Sequence, residues 1–313
     1  MNEGEMTMLE RRKFIVNSVA SLTLAASTVA FAQNRGGVPG DWVATPTKSG
    51  FAPVNGLKFY YEIHGAGKPM ILIHGGLGAG AMFAPILPQL GKARTVIAVD
   101  LQGHGRTADI ERPLAFDSMA DDIAELAKYL ELGKIDAMGY SLGAGVALRT
   151  AIRHPEIIDK LVAVSFAFAR DGWFPQIRQG MSQISAASAE PMKQTPMYQT
   201  YEKLAPRPEN WPVLLAKVGD LLRKEYDWSD EIRGIAAPTL LAFGDADAIG
   251  PAHAAEFFEL MGGGLKDGGW DGSGISKAQL AILPRTTHYT IFSSPLLPTV
   301  AAGFLAASEP GKK

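Results

Sequence analysis

The sequence predicts an α/β fold: a mostly parallel, doubly wound sheet with an inserted helical cap. Three observations carry this. From Met70 onward, short apolar runs alternate with stretches of helical apolar spacing, the pattern of a parallel sheet covered on both faces. At Gly139-Tyr140-Ser141-Leu142-Gly143 a β-type run, Lys134 to Met138, turns straight into a helix-like run, Leu142 to Arg153. Between Phe168 and Trp228 strand-like runs cease, and Met, Trp, Tyr and Pro accumulate instead. The 313 residues, 47% hydrophobic, fit one large domain with an inserted lobe. A balance of 30 basic and 32 acidic residues gives no electrostatic case for a nucleic-acid partner. The absence of cysteine excludes a thiol nucleophile, disulfides and thiolate metal sites.

Residues 1–32 read as an export signal rather than as part of the fold. The pair Arg11-Arg12 precedes an apolar stretch, Phe14 to Phe31, which ends in Ala30-Phe31-Ala32, a small-x-small cleavage site. Asn17, Ser18, Ser21, Thr23, Ser27 and Thr28 interrupt that stretch and make it a poor permanent membrane span. The expectation is recognition by the twin-arginine export machinery, a mature start near Gln33, and a periplasmic or secreted product without a stable membrane span.

The core is expected over residues 33–167 and 229–313, with the cap over 168–228. Residues 33–53, rich in Gly, Pro and Thr, read as an extended lead-in. Val54 to His64 reads as a hairpin, with Asn55-Gly56 as its turn. Met70 to Ile73 and Thr95 to Val99 are buried strands, ending at His74-Gly75-Gly76 and Asp100. Phe116 to Leu130 places Met119, Ile123, Leu126 and Leu130 on one helical face, with Asp117 and Ser118 as cap candidates. Leu161 to Val164 is the next strand. Within the cap, Ile177 to Ile184 and Pro212 to Arg223 read as helices. The sheet pattern resumes with a strand at Thr239 to Phe243, a helix at Ala252 to Met261, a strand at Gln279 to Leu283 and a helix at Pro298 to Ala306.

The strand–Ser141–helix turn has the context of a nucleophile elbow. Such a turn brings the backbones two residues either side of the serine almost into contact, so those positions must be small; Gly139 and Gly143 supply this. A serine hydroxyl needs a base, and the base needs a carboxylate to fix its tautomer. In this sheet class the partners follow the serine as acid, then histidine. Beyond the elbow helix the candidates are His253, at a helix start, and His288, in a loop after a strand; position favours His288. The acid is expected in Gly244-Asp245-Ala246-Asp247. Asp245 is expected to be held in the turn, whereas Asp247 can turn back towards His288. Oxyanion donors are expected from the Leu142 amide and from the Gly76 amide in the H-G-G loop.

Taken together, His74-Gly75-Gly76, Asp100-Leu101-Gln102-Gly103-His104-Gly105-Arg106, the elbow, the Gly244 to Asp247 loop and His288 resemble the α/β-hydrolase superfamily over the mature length. The family's spacing, acid third after the glycine, agrees with Asp247. The resemblance implies a cofactor-independent serine hydrolase acting on a small-molecule ester or lactone, with a macrocyclic lactone such as a macrolide among the candidates. Cofactor-free perhydrolysis is the alternative within the same fold. Tyr140, Trp173, Met197, Tyr201 and Trp211 are the expected pocket residues, because the cap supplies the apolar surface opposite Ser141.

A rival reading takes Gly76-Leu77-Gly78-Ala79-Gly80-Ala81 as a dinucleotide fingerprint with Asp100 on the ribose, hence an NAD-dependent oxidoreductase. It leaves the elbow, the acid and the histidine unexplained. A non-catalytic binding protein on this fold would be marked by a lost triad residue, and none is lost. Retained NAD(P)H or fluorophosphonate labelling separates the three. Of the remaining features, His74 is expected to be structural, His104 and Arg106 turn-stabilising, and the Gly262 to Gly274 stretch a surface loop.

Overall fold

Successive residues along the central strands divide between the two faces of one sheet, as strand geometry demands. Ile71 and Ile73 join one buried apolar cluster, while Met70 and Leu72 join the other. The computed structural model describes residues 45–307, so the twin-arginine segment lies outside the described residues. Eight strands form the sheet: β1 (Lys48–Val54), β2 (Leu57–His64), β3 (Lys68–Ile73), β4 (Arg94–Val99), β5 (Ile135–Tyr140), β6 (Ile158–Val164), β7 (Thr239–Ala246) and β8 (Ala278–Thr287). Their spatial order is β1-β2-β4-β3-β5-β6-β7-β8. The pairs β1/β2 and β2/β4 are antiparallel and the remaining neighbours parallel.

Asn55 and Gly56 adopt positive φ (45° and 84°), as a two-residue hairpin turn requires. The lead-in is shorter than its composition suggests, because residues from Lys48 onward already pair with β2. Strand order reverses between β3 and β5, so the crevice above their carboxyl ends is the favoured ligand site of an open α/β sheet.

One face of the sheet is covered by α2 (Phe116–Tyr129), α3 (Leu142–Arg153) and α8 (Pro251–Leu260). The other carries α1 (Leu87–Leu90) and α9 (Leu296–Ala306). The cap candidates at α2 take other partners. Its N-cap is Ala115; Ser118 Oγ donates to the Ala115 carbonyl at 3.1 Å, and the Asp117 carboxylate accepts from Arg149 Nε at 2.7 Å.

Between β6 and β7 lie the helices α4 (Pro175–Gln183), α5 (Pro196–Leu204) and α6 (Trp211–Arg223), followed by α7 (Ser229–Arg233). The two ends of this excursion meet: Trp228 N–H donates to Phe168 O at 3.0 Å, and Ala169 bridges Asp227. Helix α5 has no counterpart in the sequence reading; Pro196 starts it, capped by Thr195 Oγ1 accepting from Tyr198 N.

β7 and β8 run three and four residues further than their apolar runs, through a bulge between Gly244 and Ala246. That extension pairs Ala246 with Thr287. The next residue on each strand is Asp247 and His288, so sheet register itself brings them side by side. The Gly262 to Gly274 stretch is a surface loop, with Trp270 fully exposed. No helix among the described residues is long and apolar enough to cross a membrane.

Candidate active site

Ser141 stands between the last residue of β5 and the first of α3, at φ 52° and ψ −123°. A non-glycine residue held there costs ~1–3 kcal/mol, so its surroundings must impose it. They do so from both sides. A Cβ on Gly139 would lie 2.1 Å from Gly143 O, and one on Gly143 would lie 2.3 Å from Ile73 O. The backbones of β3, β5 and α3 therefore meet with no space for side chains, and Ser141 N–H is tied to Val164 O at 2.9 Å.

His288 Nε2 lies 3.1 Å from Ser141 Oγ, and its Nδ1 lies 3.1 Å from Asp247 Oδ1. The imidazole is held among three aromatic rings, Tyr140, Trp173 and Tyr289, at centroid distances of 5.3, 5.3 and 5.4 Å. Tyr140 Oη also donates to the His288 carbonyl at 2.7 Å, fixing the loop beneath the ring. Asp247 accepts three further bonds: from Ala248 N at 2.7 Å, Gly244 N at 2.9 Å and Ser165 Oγ at 2.6 Å. Burial pushes its carboxyl up, but the hydrogen bond and charge of His288, with the Ser165 and Gly244 donors, outweigh it and hold Asp247 below the ordinary carboxylate value.

A cavity of about 290 Å³ opens over Ser141 and His288. The sheet side supplies Gly76, Leu77, Leu142, Phe116 and Phe166. The opposite wall is Trp173, Tyr226, α4 (Ile177, Met181) with the adjoining Ile184, and the end of α6 (Val218, Leu221, Leu222). Gly76 and Leu142 both border it, and their amides donate to no carbonyl among the described residues.

A family described as alpha/beta hydrolase fold matches residues 68–260. The chain belongs to the alpha/beta hydrolase family. Among its hydrolase relatives, a serine hydrolase of Mus musculus is 29% identical over 222 residues, covering 68% of this chain and 75% of that protein. A putative carbamate hydrolase of Rhizobium rhizogenes is 35% identical over 111 residues, covering 34% of this chain. The matched region spans 42% of that relative's length, and 36% of a Mycobacterium bovis relative at 32% identity. An esterase from Thermogutta terrifontis superposes with a TM-score of 0.64 at 20% identity, over 82% of this chain and 98% of that one. At such identity the likeness speaks for the fold.

Within this hydrolase fold the expected residues divide. Ser141, His288 and Asp247 are brought together, with Gly76 and Leu142 beside them. Asp245 is exposed at the end of β7, where its carboxylate accepts from Thr286 N at 3.1 Å and from backbone amides of its own turn, so it bonds the neighbouring strand as well as the turn. Trp173 lines the cavity, but four other expected pocket residues do not. Tyr140 lies beneath His288. Tyr201 and Trp211 pack on each other inside the lobe, ring centroids 5.1 Å apart, and Met197 faces outward at 38% exposure. The reason is axial: Trp211 opens α6, whereas its cavity residues begin at Val218, roughly 10 Å further along at 1.5 Å per residue.

Sequence reasoning missed Phe116, Phe166, Tyr226 and Ser165. The spacing of Ile177, Met181 and Ile184, four and then three residues apart, was a usable signal for a cavity-facing stripe. No local pattern marks Ser165, which meets Asp247 only because β6 and β7 are neighbours.

His74, His104 and His253 stand outside the Ser141–His288–Asp247 hydrogen bonds. His74 Nε2 accepts from Leu101 N at 3.0 Å, so its Nδ1–H donates to Gly75 O at 2.7 Å; burial lowers its pKa to about 4. His104 packs against it and bonds the Gln102 carbonyl through Nδ1; burial, then the charge of His74, lowers its pKa to about 3. His253 stacks on Phe168 at 4.1 Å, with no hydrogen bond to the triad. Asp100 spends its oxygens on Gly80 N and Arg106 N, so it ties the glycine loop to the next turn instead of facing a ribose. Arg106 is paired with Glu62 and Asp100.

Proposed function

We propose that this alpha/beta hydrolase is a serine enzyme that cleaves a carboxylic ester or lactone through an acyl-enzyme. The observation that carries this is the unbroken Ser141–His288–Asp247 chain of hydrogen bonds at the floor of an apolar cavity. With Nδ1–H donating to Asp247, Nε2 is left as the acceptor for the Ser141 proton. Oγ then bonds the substrate carbonyl carbon, the carbonyl oxygen takes up negative charge against the Leu142 and Gly76 amides, and His288 returns the proton to the departing alcohol. Water, deprotonated by His288, attacks the acyl-enzyme and frees Ser141. A cavity at the small end of ligand pockets supports a compact substrate over a macrocycle.

The second reading is carbamate or amide cleavage by the same groups, favoured by the 35% identity to a putative carbamate hydrolase. Turnover of p-nitrophenyl esters of graded length, beside lactones and the matching p-nitrophenyl carbamates and anilides, separates the two. Rates on carbamates or anilides exceeding those on every ester would reject the ester reading. We further propose export through the twin-arginine segment; N-terminal sequencing of periplasmic protein should begin near Gln33, and a retained Met1 there would contradict cleavage.

A further inference from the structure

Resting on the serine-hydrolase reading, we infer that the substrate part entering the cavity is an uncharged hydrocarbon chain, and that Glu225 enforces this by occupying Arg170, the one permanent cation on the wall among the described residues. Apart from Arg170, Gln176 and the Ser141–His288 centre, the wall is apolar or aromatic. The polar groups of Trp173, Tyr226 and Arg170 are already engaged. Trp173 Nε1 donates to Tyr226 Oη at 2.8 Å, and Tyr226 Oη donates to Ala167 O at 3.1 Å, so this pair offers a substrate little beyond its ring faces. Arg170 gives Nη1 to Glu225 at 3.0 Å, Nη2 to Ser182 Oγ at 3.1 Å and Nε to Leu222 O at 3.3 Å. A carboxylate carried into the cavity would lose its hydration and find a guanidinium already neutralised, a desolvation without repayment. An alkyl chain meets the opposite situation. The α4 helix has no fully buried residue, and its half-buried Ile177 and Met181 border the cavity, so a hydrocarbon chain completes their burial.

The test uses two inhibitors that bond to Ser141 and carry a single chain: n-hexylboronic acid and 6-boronohexanoic acid, which differ in a terminal methyl against a carboxylate. Potency is read as protection of the full chain from fluorophosphonate labelling at neutral pH. The hexyl compound should protect at roughly a hundredfold lower concentration, the size expected for stranding a charge in an apolar site. Glu225→Gln, at an exposed residue, should release Arg170 and narrow that ratio to about tenfold, because a freed guanidinium then pairs with the carboxylate. Equal protection by the two compounds in the unaltered chain overturns the inference, and so does a ratio that Glu225→Gln leaves unchanged. An absence of fluorophosphonate labelling is a different failure, that of the serine-hydrolase reading, and the inference falls with it.

Discussion

The sheet with its elbow helix and the helical lobe above it are built to different standards of packing. In α3 ten of twelve residues are buried, and every residue of β5 is. In α4 none is, and in α5 Tyr201 alone. The groups proposed to react sit on the first kind of element: Ser141 between β5 and α3, Asp247 and His288 at the ends of paired strands. Of the cavity's far wall, the α4 part sits on the second kind, whereas Trp173 and the α6 residues Val218 and Leu221 are themselves buried. Groups that must hold a proton-transfer geometry are placed where rotamers and backbone cannot drift. The α4 residues that border the cavity lie where the chain is held more loosely and where changes cost little stability.

This contrast is most directly broken at the triad. Ser141→Ala should abolish fluorophosphonate labelling and lower kcat by ~10⁶ with circular dichroism unchanged; labelling that survives would remove Ser141 from the role given it. Asp247→Asn should lower kcat by ~10³–10⁴, since an amide cannot hold the imidazole in its working tautomer or balance its charge. Asp245→Asn should leave kcat nearly unchanged, and a reversed result for the two aspartates would overturn the reading of the β7 loop.

A smaller effect comes from the paired histidines beneath the site. His74 and His104 are neutral in the folded chain, at about 4 and about 3, against ~6.5 for an unfolded imidazole. Below pH ~6.5 the unfolded state therefore binds more protons, and stability falls as pH drops, by up to ~1.4 kcal/mol per pH unit for each histidine. Asp247 adds nothing in that window: its folded pKa is depressed, so its contribution stands above the ordinary carboxylate value and is lost only as pH falls through the lower folded one. Urea midpoints measured from pH 7 to pH 5 should decline steadily; a flat series would contradict the neutral pair.

Packing gives the gentlest test. Leu148→Ala, in the buried heart of α3, should cost ~2–5 kcal/mol of stability. Met181→Ala, on the cavity side of α4, should cost under about 1 kcal/mol while raising KM for long-chain esters. Chemical denaturation beside steady-state kinetics reads both, and equal stability losses at the two sites would erase the contrast.

By itself, the sequence determined the sheet alternation, the elbow, the two loops that carry Asp247 and His288, and the extent of the inserted lobe's irregular composition. These are local signals: apolar period, glycines where backbones touch, and loops that follow strands. That Asp247 rather than Asp245 faces His288 was legible because its place in the loop follows from the strand before it. What tertiary structure alone decided is who faces whom across the cavity. Met197, Tyr201 and Trp211 have the composition of pocket residues, yet helix rotation and axial position send them into the lobe or to solvent. Phe116, Phe166 and Tyr226 come together from three distant segments. Ser165 reaches Asp247 only across the β6–β7 register. Periodicity states which face of an element is apolar, but not which partner covers it; that choice belongs to the packing of the whole chain.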